Sequence, residues 1–402
     1  MAVALHQIAD VLDSIETSEE LMKDLILDRF NKSTKFVIAA LAKFSDQERV
    51  SQVLDLYAEL DKGYQARLLV SAELGEVLNE MPLDSVEDAS PKQLDHIYDI
   101  IAREHAIFNF EKGVETEYLK STSLTRLFSP LGDRSLVKTG SAWHCHQGYL
   151  VDDVIAIDFD SPLATKHEPD SGTLSRDWLE HTEAEKQEVV KKFNLALKNI
   201  DRAAPVHGQI IRNFVRRIIV RKTVESAVVF EDVGIDQAPF GSEHRPIHPS
   251  SLRALNVHHP QKSITACMET LFHETIHNML AYWEIVNGHF APSSRTVRPI
   301  SPWTSNPIPN HSFAHAVFVW YGLHRLFEGV IENISDLQQV DEGDARQRLA
   351  TFALGYLIGK PLSAQFCHTE AVQEDLKFAI DKMQFKIVDQ YGEMSGSSLE
   401  AA

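Results

Sequence analysis

The chain has 402 residues, of which 44% are hydrophobic and 24% are charged, a composition typical of a globular protein with a large buried core. Its 39 Lys and Arg residues against 58 Asp and Glu residues give a formal net charge of −19, which repels phosphate backbones and argues against nucleic acid as a partner. No stretch approaches the roughly 18 apolar residues of a membrane span, and the start of the chain lacks the pattern of a signal peptide. Three scattered cysteines are too few for a disulfide framework, so we expect a cytoplasmic protein.

The first part of the chain is predicted to be helical. Apolar residues recur every three or four positions through Ile8, Val11 and Leu12, and this spacing continues over the first 110 residues. Between Thr122 and Pro162, glycines separate short apolar runs such as Tyr149-Leu150-Val151, a pattern that indicates short strands or loops.

The second half of the chain is predicted to be mainly helical. Residues Ile210 to Val220 fit either a helix or a strand. The other predicted elements are helices at Asp177–Asn199, Ser263–Trp283 (with Ser263 as N-cap), Ser312–Ile334, Glu342–Leu357 and Ala371–Tyr391, and strands at Ser226–Phe230 and Leu252–Val257.

These elements predict a mainly α (α+β) fold with a small irregular sheet. We expect an N-terminal helical lobe at residues 1–120, a metal-binding catalytic domain with a helical core at residues 121–392, and a flexible tail at residues 393–402. The sequence does not indicate an oligomeric state.

The clearest functional motif is His273-Glu274-Thr275-Ile276-His277, which follows the pattern His-Glu-x-x-His. Residues four apart lie on the same face of a helix, so His273 and His277 can direct their imidazoles at one metal ion while Glu274 lies beside it. The apolar neighbours Leu271-Phe272 indicate a partly buried helix. The motif therefore predicts an enzyme built around one divalent metal ion.

The third metal ligand decides the chemistry of such a site. The metzincin pattern would need Gly at position 280 and His at position 283, where this chain has Leu280 and Trp283. A gluzincin would use a glutamate from a later helix, for which Glu328 is a candidate. Glu284 is expected to lie on the surface of the motif helix.

A histidine is the alternative third ligand. His315 lies in the apolar run from Phe313 to Trp320, where a buried histidine needs a polar partner or a metal ion. We therefore predict His315 as the third ligand, with His311 and His324 as secondary candidates.

Three segments of the chain carry a resemblance to a known family. They are Leu271 to Leu280 around the motif, Ser301-Pro302-Trp303, and His315-Ala316 followed by an aromatic-rich helix. These segments resemble the HExxH-motif family of iron-requiring, α-ketoglutarate-dependent peptide β-hydroxylases, first described as HExxH peptide-modification proteins. The resemblance covers residues 252 to 327 well.

The resemblance implies Fe(II) held by His273, His277 and His315, with 2-oxoglutarate (α-ketoglutarate) as co-substrate and a peptide or amino-acid substrate. Glu274 would then orient a ligand or substrate. The family often places arginines just after Ser-Pro-Trp, where this chain has none. Arg298 and Arg325 are therefore the candidates for binding the 2-oxoglutarate carboxylate, because a guanidinium pairs with a carboxylate through two hydrogen bonds.

Two other functions remain open at the level of sequence. In a zinc peptidase, Glu274 would take a proton from a metal-bound water, and Glu328 or His315 would complete the zinc sphere. A metal-binding protein without catalysis is the third possibility. Imidazole suits both iron and zinc, so the histidines alone do not choose between these metals.

Overall fold

The structure is a computed structural model, and it describes residues 3–13, 18–79, 90–165, 178–223, 240–245, 247–289, 298–366 and 372–399. The strand predicted at Ser226–Phe230 lies outside these residues. Helices account for 62% of the structure, which confirms the prediction of a mainly α (α+β) fold.

The described part of the chain forms long helices in its first and last thirds. The helices are α1 (Leu5–Asp13), α2 (Ser18–Leu41), α3 (Gln47–Glu59), α4 (Lys62–Leu69), α5 (Ala72–Asn79), α6 (Pro91–Glu111), α7 (Glu117–Ser121), α8 (Pro162–Thr165), α9 (Glu183–Ala203), α10 (Pro205–Phe214), α11 (Ile264–Asn287), α12 (Asn310–Glu332), α13 (Glu342–Leu354) and α14 (Glu374–Leu399). The last of these, α14, continues into the segment predicted as a flexible tail.

Short strands occupy the middle of the chain, as predicted. They are β1 (Arg126–Phe128), β2 (Arg134–Thr139), β3 (Ala142–Gln147), β4 (Tyr149–Val151), β5 (Ile155–Asp158), β6 (Arg217–Arg221), β7 (Gly241–Glu243) and β8 (Ser251–Leu255). The ambiguous stretch Ile210 to Val220 contains both kinds of element, because α10 ends at Phe214 and β6 begins at Arg217.

The chain divides into two compact units that are interleaved in sequence. Unit 1 comprises Met1–Arg29, Leu195–Asn213 and Ser263–Ala402, and unit 2 comprises Phe30–Asn194 and Phe214–Lys262. This division differs from the linear one predicted, in which residues 1–120 form a lobe of their own. The reason is that α1 packs within unit 1, where the Leu5 amide donates a hydrogen bond of 2.5 Å to Asp375 at the start of α14.

Unit 2 contains both β-sheets. The strands β1, β2 and β3 form an antiparallel sheet, and a second sheet has the order β4-β5-β6-β8-β7. In the second sheet β5, β6 and β8 are parallel, while β4 and β7 are antiparallel edges. The parallel strand β6 buries Arg217, whose guanidinium donates hydrogen bonds to Asp158 at 2.6 Å and to the Pro130 carbonyl at 2.8 Å.

Unit 1 is built from helices around the pair α11 and α12. The side chain of Ser263 accepts a hydrogen bond of 3.0 Å from the Ala266 amide, so the predicted N-cap of α11 is confirmed. Gly322 on α12 lets the two helices approach closely, since a Cβ there would lie 2.5 Å from Cδ1 of Ile276. This close approach brings the motif helix against the helix that carries His315.

Among the described helices, none combines the length and the apolar character needed to cross a membrane.

Candidate metal centre

The His-Glu-x-x-His motif lies in the middle of α11, where its three potential metal ligands are close together in space. His273, Glu274 and His277 each offer one ligand atom, and these atoms lie within 4.8 Å of one another. Glu274 is 2% exposed, whereas both histidines are half-buried. The helix thus presents two imidazoles and one enclosed carboxylate at one place, as the spacing predicted.

The structure brings His315 from α12 to this motif. Its Nδ1 lies 2.9 Å from Nδ1 of His277, and the two rings are nearly parallel, at 18°. Without a metal, this contact is a hydrogen bond in which one ring donates and the other accepts. Two ligand atoms bound to one ion at about 2.0–2.2 Å lie roughly 2.8–3.6 Å apart, so the same spacing fits shared coordination.

Glu284 lies on the other side of His315, and the expectation that it is a surface residue was wrong. It is only 9% exposed, and Nε2 of His315 lies 3.4 Å from its carboxylate. Nε2 of His311 and Nδ1 of His289 also contact this carboxylate, at 3.0 and 3.2 Å. The spacing of seven residues from His277 was the available signal, because seven residues make two helical turns and return to the same face.

The electrostatics favour a neutral His315 next to a charged Glu284 carboxylate. Burial alone would raise the pKa of Glu284, but hydrogen bonds from His311 and His315 outweigh it and hold that pKa well below its ordinary value. Burial lowers the pKa of His315, although its hydrogen bond to Glu284 opposes the shift. Burial also lowers the pKa of His273 to about 4. Neutral histidines are the form that binds metal.

An aromatic cluster borders the motif. The ring of Trp320 on α12 meets His273 edge-on at 6.2 Å, and Trp303 stacks on Trp320 at 5.9 Å. The Trp303 indole N–H donates a hydrogen bond of 2.9 Å to the Phe352 carbonyl on α13. The Ser301-Pro302-Trp303 segment, which carries part of the resemblance, therefore lies next to the motif.

The two predicted carboxylate-binding arginines differ in their surroundings. Arg298 is exposed. Arg325 pairs with Asp13 at 2.8 Å and Glu328 at 2.7 Å, and it lies ten residues beyond His315, about 15 Å along α12 at about 1.5 Å per residue. The guanidinium of Arg325 is thus already bound by two carboxylates.

Sequence reasoning did not consider a third arginine, Arg348 on α13. Its guanidinium pairs with Glu269 and, at 2.9 Å, with Asp344. Glu269 lies one helical turn before His273 on α11, so Arg348 is placed within about one turn of the motif. No local pattern marks this residue, because it comes far later in the chain and reaches α11 through tertiary packing.

The donor atoms fit a divalent transition metal, because imidazole nitrogens bind iron, zinc and related ions. His315 adds an imidazole next to His277. Among the described residues, the groups of three whose ligand atoms all lie within 4.8 Å of one another are His273-Glu274-His277 and Glu284-His311-His315, so His315 is grouped with Glu284 and His311 and not with the two motif histidines. In comparisons with known proteins, no protein-family model matches the chain and no curated protein matches it.

Proposed function

We propose that the protein is a non-haem Fe(II)- and 2-oxoglutarate-dependent oxygenase that hydroxylates a β-carbon of a peptide or amino-acid substrate. The observation that carries the proposal is the 2.9 Å contact between Nδ1 of His277 and Nδ1 of His315. Three protein ligands leave open positions on the metal for a co-substrate. When bound, iron with a 2-oxo acid and O2 supplies the oxidation of an unactivated C–H bond.

The position of Glu328 supports three imidazoles over a zinc site completed by that glutamate. Glu328 lies thirteen residues beyond His315 on α12, about 20 Å along the helix axis at about 1.5 Å per residue. Its carboxylate pairs with Arg325 at 2.7 Å and with His324 at 3.4 Å. These contacts assign Glu328 a role in the packing of α12.

The surrounding residues fix the ligands in place. The Glu284 carboxylate accepts a hydrogen bond from Nε2 of His315, and Nδ1 of the same ring therefore faces His277. The ring of Trp320 meets His273 edge-on, with the ring centroids 6.2 Å apart, and so borders one side of this histidine. Glu274, buried beside both motif histidines, orients a ligand or the substrate through its carboxylate.

The co-substrate carboxylate needs a cationic partner, and the surroundings favour Arg298 or Arg348 over Arg325. Arg298 is exposed, and Arg348 is close to the motif through Glu269. Arg325 and Arg348 each pair with two carboxylates, so the difference between them is distance: Arg325 lies ten residues beyond His315, about 15 Å along α12 at about 1.5 Å per residue.

The proposal places the protein in the cytoplasm, where thiols stay reduced. No disulfide joins Cys145 and Cys267, the two cysteines in the described residues. The partner is a peptide or amino acid, and the chain's net charge of −19 favours a substrate without a strong negative charge of its own.

An anaerobic titration tests this function. Metal-free protein is loaded with Fe(II), and addition of 2-oxoglutarate should produce the weak visible band of an iron complex with the 2-oxo acid. Admission of O2 should then convert 2-oxoglutarate to succinate. His315→Ala should lose the band, whereas His144→Ala, a change at an exposed histidine on β3, should keep it. Absence of the band, together with tight zinc binding and peptide cleavage, would refute the oxygenase.

A zinc peptidase is the second candidate, and the position of Glu274 favours it. The Glu274 carboxylate lies 4.0 Å from Nε2 of His273, where it could take a proton from a metal-bound water. Glu274→Gln separates the two functions. The change should abolish peptide cleavage by a peptidase, while an iron oxygenase should keep its metal and its band with 2-oxoglutarate.

A further inference from the structure

A second pair of histidines at helical spacing lies at the start of α12. His311 and His315 are four residues apart, so they share one face of the helix, as the motif histidines do on α11. Glu284 from α11 faces this pair, and its ligand atoms and those of the two histidines lie within 4.8 Å of one another. The arrangement is two imidazoles and one carboxylate, a set that divalent transition metals bind.

The distances in this cluster suit coordination of one ion. Nε2 of His311 and Nε2 of His315 lie 3.0 and 3.4 Å from the Glu284 carboxylate. These values fall within the roughly 2.8–3.6 Å expected between two ligands of one ion. His289, whose side chain is 80% exposed, adds Nδ1 at 3.2 Å from the same carboxylate and can serve as a fourth ligand.

His315 contacts a member of each group through different ring atoms. Its Nδ1 faces His277, whereas its Nε2 faces Glu284. The two edges of one imidazole can therefore bind two ions, and the ring then releases its remaining N–H proton to solvent.

We propose that Glu284, His311 and His315 bind a second divalent metal ion next to the one held by the motif, with His315 as the bridging ligand. The metal ion then takes the place of the protons that the buried Glu284 carboxylate shares with the neighbouring imidazoles of His289, His311 and His315. Such a site accepts zinc, iron or cobalt, since two imidazoles and a carboxylate suit each of them. This inference goes beyond the proposed oxygenase and does not depend on its reaction.

The number of zinc ions bound per chain tests the proposal. Metal-free full-length protein is dialysed against buffered zinc, and bound metal is measured by elemental analysis. We expect two ions per chain for the wild type and for the control His144→Ala, and one each for His311→Ala and His273→Ala. Because His311 is half-buried, its replacement should leave the fold intact, as thermal unfolding followed by circular dichroism will show. Glu284→Gln, which keeps the size of the side chain, provides a second variant and should also bind one ion.

The outcomes separate this proposal from the proposed function. One ion in the wild type that persists in His311→Ala would overturn the second site and leave the motif site standing. One ion that His311→Ala loses and His273→Ala retains would overturn both the motif site and the bridged pair, and would leave a single site at Glu284, His311 and His315. Two ions in both the wild type and His311→Ala would also overturn the proposal.

Bridging by His315 has its own readout. With copper(II) in both sites, an imidazolate bridge couples the two spins and weakens the electron paramagnetic resonance signal per copper. The signal should recover its full intensity per copper in His311→Ala, which holds only the motif ion. An uncoupled wild-type signal with two coppers bound would overturn the bridge.

Discussion

Replacing Gly355 by alanine tests how Trp303 is held beside the candidate metal centre. A Cβ at Gly355 would overlap with Cδ2, Cε2 and Nε1 of the Trp303 ring. The backbone at Gly355 has φ of −67°, a conformation that alanine adopts freely, so the effect of the change is steric. Because an indole ring is rigid, it has to leave its stack on Trp320 to make room.

The expected cost follows from three contributions. Overlap in a packed site costs about 1–3 kcal/mol. Loss of the hydrogen bond from Trp303 to the Phe352 carbonyl adds about 1 kcal/mol. Alanine restricts the unfolded chain more than glycine does, and this offsets the cost by raising the free energy of unfolding by about 0.4–1 kcal/mol. We therefore expect Gly355→Ala to lower the free energy of unfolding by about 1–3 kcal/mol.

A double-mutant cycle isolates the contact between the two residues. With Trp303→Ala in the background, the new Cβ meets no ring, so Gly355→Ala should become neutral or slightly stabilising. The free energies come from urea denaturation followed by tryptophan fluorescence, with each transition fitted separately because two units can unfold in separate steps. An equal cost of Gly355→Ala in both backgrounds would refute the steric explanation.

Gly392→Ala is the matched control. Gly392 also lies in a helix of unit 1, and a Cβ there meets nothing within 4 Å. The change should stabilise the chain by about 0.5–1 kcal/mol through helix propensity alone.

Three further predictions follow from the site and its surroundings. His315→Ala should remove the metal ion held by the motif histidines, as measured by elemental analysis; retained stoichiometric metal would contradict its role as ligand. Arg348→Met should raise the KM for 2-oxoglutarate without loss of metal, whereas Arg325→Met should leave KM unchanged and lower the free energy of unfolding by about 1–3 kcal/mol, because Asp13 and Glu328 lose their partner. Burial lowers the pKa of His207 to about 4. As the pH falls below about 6.5, this histidine therefore becomes protonated in the unfolded state before it does in the folded state. Stability should therefore decline between about pH 6.5 and 4, by about 3 kcal/mol for this residue, and His207→Gln should flatten that part of the pH dependence of unfolding.

The motif helix shows what the sequence could predict. Ser263 marks its start, and the structure confirms both the helix and the cap. The predicted end at Trp283 was early, because the helix continues to Asn287 and stops where Gly288 adopts a positive φ of 87°. Local signals of this kind are readable because they depend on neighbours in the chain.

The surroundings of His315 show what the sequence could not predict. Its contacts with His277 and Glu284 join residues that are 38 and 31 positions apart. Helical spacing from His277 to Glu284 and from His311 to His315 indicated shared faces, but only packing determines that the two faces meet. For Arg348 even this signal is missing, since nothing near it in the chain points to Glu269.

The interleaving of the two units has a consequence for biosynthesis. Unit 1 contains both α1 and α14, and the Leu5 amide donates a hydrogen bond to Asp375, which lies 370 positions later in the chain. During translation α1 therefore waits for its partner until α14 has left the ribosome, while unit 2 can begin to fold earlier. The helices that carry His273, His277 and His315 belong to unit 1, so a metal ion bound by these histidines would be loaded late in folding.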